Sequence, residues 1–99
     1  MVKLSVLYGH PTDAEAFDDH YANVHASLVQ QIPNLKRFEA GRISAMDDGE
    51  PPYHLIAELW FEDMETLQQS MSSEEGTAAT DDIPNVATGG VTLFVSEVG

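Results

Sequence analysis

The chain has 99 residues, 42% of them apolar, with 17 acidic against 4 basic residues and a formal charge of −13. This is enough for one globular domain with a single core. So few cations set nucleic-acid and membrane-surface binding aside, and the lack of cysteine excludes disulfides and thiolate chemistry.

Residues 2–8 set Val2, Leu4, Val6 and Tyr8 against Lys3, Ser5 and Leu7, which predicts a strand with one apolar face. The segment is neither a leader's apolar core nor a membrane span, so the expected location is cytoplasmic. Gly9, His10 and Pro11 form a turn, where a histidine suits loop backbone and a ligand equally well.

Residues 11–33 carry the signals of one amphipathic helix. Thr12 with Glu15 predicts a capping box, and Asp13 and Glu15 place negative charge at the positive end of the dipole. Phe17, Tyr21, Val24, Leu28 and Ile32 form one apolar stripe, and Pro33 stops the helix. His25 falls at the edge of that stripe, where an imidazole can reach a cleft; it is the candidate acid/base. The plainer reading is a boundary histidine bonded to a carbonyl or water. His20, beside Asp18 and Asp19, reads as a solvated surface residue. The two histidines are five positions apart, which puts them on different helical faces and argues against a zinc site.

Residues 35–46 predict a second strand, with Phe38, Ala40, Arg42 and Ser44 on one face and Gly41 as a bulge or close approach. A loop follows over 47–52. Residues 53–62 form the strongest strand, with Tyr53, Leu55, Ala57, Leu59 and Phe61 facing one way and His54, Ile56, Glu58 and Trp60 the other. His54 can line a cleft there. Glu58 is either a desolvated carboxylate beside Trp60 or, the preferred reading, a partner of Arg42 or Arg37 across a dimer. Asp63 and Ser73 are expected caps of two short helices, the first through 71 and the second through about 82. Residues 83–90 read as a loop, with Gly89 and Gly90 opening a last strand over 91–98. The acidic pairs Asp18–Asp19, Asp47–Asp48 and Asp81–Asp82 lack calcium-loop spacing and read as solvated. No phosphate loop, dinucleotide fingerprint or nucleophile elbow occurs, so no metal and no cofactor is expected.

The order β-α-β-β-α-β predicts a single α+β domain over 1–99: a ferredoxin-like, four-stranded antiparallel sheet with its helices on one face. The uncovered face, with Trp60 and Ile56 or their opposite set, predicts a homodimer packed sheet against sheet. A cleft between sheet and helices would take a hydrophobic small molecule.

The phrases HYANVHASLV, AELWF, SSEEGTAATDDIPN and GGVTLFVSEV, in that order, resemble the EthD family of the dimeric α+β barrel superfamily, over nearly the whole chain. The resemblance implies a ferredoxin-like subunit that dimerises through its sheet. It also implies a link to ethyl tert-butyl ether degradation beside an oxygenase system. Superfamily relatives include lactone isomerases, polyketide cyclases, cofactor-free monooxygenases and haem-degrading enzymes, so the fold alone names no reaction. His25 matches the acid/base histidine of methylmuconolactone isomerases, while the tyrosine those enzymes carry after the helix is Phe38 here. Two functions are therefore expected. One is a small cofactor-independent enzyme or accessory factor, with His25 as acid/base and Tyr8, Phe38, His54 and Trp60 as pocket walls. The other is a non-catalytic carrier assisting a partner oxygenase. Haem binding is a third reading and requires a histidine facing an open cleft.

Overall fold

The computed structural model describes residues 1–98. Strands β1 (Val2–Tyr8), β2 (Arg37–Arg42), β3 (Leu55–Phe61) and β4 (Val91–Glu97) form one sheet in the order β2-β3-β1-β4. Every pairing is antiparallel, which gives the ferredoxin-like topology. Register decides the two faces. Leu4 lies opposite Leu59 and Val95, and Val6 opposite Ala57 and Leu93, on the face the helices cover. Lys3, Ser5 and Leu7 pair with Trp60, Glu58 and Ile56 on the uncovered face.

The second strand is shorter than residues 35–46: its ladder ends where Arg42 meets Leu55. The third strand starts at Leu55, so His54 escapes the alternation that would have set it beside Glu58 and Trp60. Its backbone N–H donates to the Tyr8 carbonyl at 2.8 Å, and its ring packs edge-on against Phe17 at 4.8 Å, on the helix side. Glu58 does not wait for an arginine of a second copy, because Lys3 reaches it at 2.7 Å within the chain. Arg37 pairs with Glu39 and Arg42 with Asp18. Trp60 lies between cations, 5.5 Å from Lys3 Nζ and 4.9 Å from Arg37 Cζ.

The first helix is continuous but not uniform. It consists of α1 (Ala14–His20), a π-helical turn (Tyr21–His25) and α2 (Ala26–Gln30). Its cap is Asp13, whose Oδ1 accepts the Ala16 N–H at 3.0 Å; Thr12 is held elsewhere, its N–H donating to Thr88 Oγ1. Within the π turn the Ala26 N–H bonds the Tyr21 carbonyl five residues back, so one extra residue enters the turn. The expected stripe slips at that point. Phe17, Tyr21, His25, Val29 and Ile32 are buried, whereas Val24 is 42% exposed and Leu28 only half-buried.

Helices α3 (Met64–Ser72) and α4 (Glu74–Val86) start at the expected caps, where Asp63 accepts the Thr66 N–H and Ser73 the Gly76 N–H. Helix α4 continues past the expected stop and through Pro84. The carbonyl that Pro84 cannot serve belongs to exposed Thr80, where solvent can substitute. Four further residues of α4 are thereby helical, and the loop before β4 is only residues 87–90. Among the described residues no helix is long and apolar enough to cross a membrane.

Candidate functional site

The π turn and the lengthened α4 together build a polar cluster inside the apolar layer. His25, on the last residue of the π turn, is 3% exposed, and its Nδ1 lies 2.9 Å from Asp82 Oδ2 on α4. A carboxylate can only accept, so in the neutral ring Nδ1 carries the hydrogen and Nε2 keeps its lone pair. That Nε2 faces the Tyr8 hydroxyl at 3.4 Å, a long bond from a residue at the end of β1.

His20 reaches the same carboxylate, with Nε2 at 3.0 Å from each Asp82 oxygen. In a regular α-helix, residues five apart are rotated by roughly 140° and could not share a partner. The π turn begins right after His20 and closes with i→i+5 hydrogen bonding, so both rings meet α4. His20 is therefore part of the cluster and not a solvated surface residue, although its side chain remains 31% exposed. Asn85 Nδ2 donates to Asp82 Oδ1 at 2.9 Å and completes the carboxylate's set.

Burial by itself would raise the Asp82 pKa, but hydrogen bonds from Asn85, His20 and His25, with the charge of His20, hold it below the usual carboxylate range. Burial, reinforced by the Asp82 charge, pushes the Tyr8 hydroxyl far above an ordinary phenol. Burial, and then Tyr8, does the same to Tyr21. Both phenols stay protonated at any physiological pH. The cluster thus holds an imidazole with an anionic partner on Nδ1, the protonated Tyr8 hydroxyl against the lone pair of Nε2 and the Tyr21 ring alongside.

Tyr8, Tyr21 and His25 line one cavity of about 30 Å³ between sheet and helices, otherwise walled mostly by apolar side chains such as Val6, Leu59 and Ile83. That is room for roughly one water molecule. Half-buried Met71 and Ile83 and half-exposed Leu93 also border it, so that wall is the one nearest solvent, and a ligand larger than one water would have to displace it.

The structure brings together two of the residues expected at a site, Tyr8 and His25. Phe38 is half-buried on β2, with its side chain on the helix face opposite Leu59, and does not border the cavity. Trp60 is on the uncovered face. His54, 6% exposed, donates from Nε2 to Asp18 Oδ1 at 2.9 Å and belongs to a separate cluster with Arg42. His10 donates to the Pro51 carbonyl, so its loop role is the one realised. The described residues contain no group of three or more His, Asp or Glu able to hold a metal ion.

Sequence reasoning missed Asp82 by reading Asp81–Asp82 as a solvated loop. Asp82 is 8% exposed, and it lies on the face of α4 that also buries Ala79 and Val86. An acid on the apolar spacing Ala79–Asp82–Val86 was the available signal, hidden by stopping the helix ahead of Pro84.

Comparison with known proteins adds the lineage. Residues 9–90 match the family model described as the EthD domain. An uncharacterised 11.0 kDa protein in the thcB–thcC intergenic region of Rhodococcus erythropolis is 41% identical over 98% of this chain and 94% of its own. The crystal structure of an ethyl tert-butyl ether d (EthD) family protein of Bacillus halodurans is 40% identical, with TM-score 0.94, over 100% of this chain and 99% of that one. A dimeric ferredoxin-like protein of unknown function from Thermobifida fusca shares the fold at 13% identity and TM-score 0.75, over 98% of this chain and 90% of that one.

Proposed function

The chain belongs to the EthD domain family, and on that premise we propose that it is a small enzyme or accessory factor that moves a proton on a hydrophobic molecule, with His25 as acid/base. The observation that carries this reading is the buried imidazole held by Asp82 at 2.9 Å, its other nitrogen beside Tyr8 in an apolar cavity. A buried carboxylate that fixes the tautomer and stabilises the imidazolium is the arrangement a general base needs. The test is a screen of hydrophobic small molecules for binding that shifts the His25 resonances, followed by turnover of the binders. Under this reading His25→Gln abolishes turnover while affinity is largely kept. Turnover that persists in His25→Gln contradicts it.

The mostly apolar lining supports a second reading, a carrier that holds a product for a partner enzyme. A carrier returns its ligand unchanged and loses affinity chiefly when walls such as Tyr21 are cut back.

The uncovered sheet face supports a homodimer. Leu7, Ile56 and Trp60 lie on it, and Phe94 of β4 shares it and is 46% exposed. Leu93 and Val95 on the other side of β4 are also exposed, at 47% and 38%, leaving this edge strand apolar on both faces. Sedimentation velocity of the wild type and of Phe94→Glu tests this: a wild-type dimer that becomes a monomer in the variant supports it.

A further inference from the structure

Tyr21 is 5% exposed, lines the cavity, and its hydroxyl finds no hydrogen-bond partner among the described residues. A buried hydroxyl without a partner is costly, and its persistence needs a reason. Its ring lies 5.1 Å from that of His25 and 5.8 Å from that of Tyr8, so the residue with the unpaired donor packs against the base and lines the same cavity. We propose that Tyr21 is the specificity-determining donor of this site, and that the ligand it awaits is an uncharged apolar carbonyl compound with a hydrogen on the neighbouring carbon. This deepens the reading of His25 as acid/base and rests on it.

Charge decides the class. The chain has four basic residues, and none lines the cavity. Three of them are engaged elsewhere: Lys3 with Glu58, Arg37 with Glu39 and Arg42 with Asp18. An anionic ligand would meet no cation there, and would lie close to the buried Asp82 carboxylate behind His25. A carbonyl oxygen needs only donors, and Tyr21 supplies one. The 3.4 Å bond from Tyr8 is weak enough to give way, which frees His25 Nε2 and leaves the Tyr8 hydroxyl as a second donor. A hydrocarbon ligand would leave the Tyr21 hydroxyl without a partner.

The step available to such a ligand is enolisation. His25 Nε2 takes the proton from the carbon next to the carbonyl. The C–H electron pair becomes a C=C bond, and the carbonyl π pair moves onto oxygen, where the Tyr21 O–H holds it. The proton then returns from His25 to carbon, so nothing is oxidised or reduced. In D2O, exchange at the bound ring makes the returning nucleus a deuteron, which marks the reaction without knowledge of the natural substrate.

The experiment uses neutral ketones from butanone to acetophenone, their methylene isosteres and the corresponding carboxylates, with wild type, Tyr21→Phe and His25→Gln. Binding is read from the His25 resonances in wild type and Tyr21→Phe and from ligand signals in all three, and exchange from loss of the ketone's α-proton signal in D2O. The expected result is wild-type preference for ketone over isostere by about tenfold, the worth of one hydrogen bond, with carboxylates weakest. Tyr21→Phe cuts that preference severalfold, slows exchange, and unfolds at or above the wild-type midpoint because an unpaired hydroxyl is gone. His25→Gln abolishes exchange and keeps the preference. If ketones bind at His25 and Tyr21→Phe prefers them as strongly as wild type, or if carboxylates bind best, the Tyr21 assignment is overturned alone. If no compound shifts His25, or exchange survives in His25→Gln, the acid/base reading falls and takes this inference with it.

Discussion

His25 and His54 are both almost fully buried, and each is hydrogen-bonded at 2.9 Å to an aspartate distant in sequence, yet they end in different surroundings. The partner of His25 is itself buried, and its second nitrogen looks into a cavity with two phenols. The partner of His54 is Asp18, 43% exposed and shared with Arg42, and the ring is closed in by Phe17 and His10. A buried histidine–aspartate pair is thus not a site by itself. The cavity that His25 lines, and the phenols that line it with it, make the difference.

Removing each carboxylate breaks the comparison most sharply. Asp82→Ala leaves the buried His25 Nδ1–H without an acceptor and also deprives His20 and Asn85. The expected cost is about 1–3 kcal/mol for the stranded donor. In a domain of this size that lowers the unfolding midpoint by roughly 4–8 °C for each kcal/mol. Asp18→Ala opens a half-exposed cluster that water can resolvate, and is expected to cost about 1 kcal/mol or less. Calorimetry of the two variants orders them, and equal losses would erase the distinction.

Acid gives the next largest effect. Both aspartates have folded-state pKa values below their ordinary ones: burial raises each, and the histidine, Asn85 or Arg42 partners more than reverse it. The stability they contribute is complete above the unfolded carboxylate pKa of about 3.9 and disappears as pH falls through the lower folded values. The gap between wild type and Asp82→Asn is therefore expected to be constant just above pH 4 and to close below it. Denaturant midpoints across that range measure it, and a gap that widens in acid contradicts the account.

The same pair of regions shows how far the sequence could be read. Strict alternation in β1 and β3 and the caps Asp63 and Ser73 are local signals, and they sufficed for the sheet and for the starts of α3 and α4. His25 could be singled out because an imidazole at the edge of an apolar stripe can reach a cleft, and because it matches the acid/base histidine of the isomerases that the chain resembles. Its place at the centre of the buried face could not, because the extra residue of the π turn has no signature in side-chain spacing and the 3.6-residue period pointed to Val24. Asp82 escaped because Pro84 looked like a stop. The side on which His54 lies depended on whether the ladder began one residue earlier, a tertiary fact.

The smallest effect sharpens the comparison from within the site. Tyr8→Phe removes a hydroxyl whose bond to His25 is already 3.4 Å, and is expected to move the unfolding midpoint by only a few degrees. It should nonetheless shift the His25 Nε2 resonance and leave that of His54 unchanged. A shift at His54 of equal size would mean that the two clusters are not separate.

The most direct measurement is a long-range proton–nitrogen correlation spectrum of the histidine rings, in wild type and Asp82→Ala, at a pH where His25 is neutral. The expected result is the hydrogen of His25 on Nδ1, with Nε2 bare, and loss of that fixed tautomer in Asp82→Ala. A wild-type His25 with its hydrogen on Nε2 would show that Asp82 does not hold the ring. The free nitrogen on which the proposed chemistry depends would then not exist.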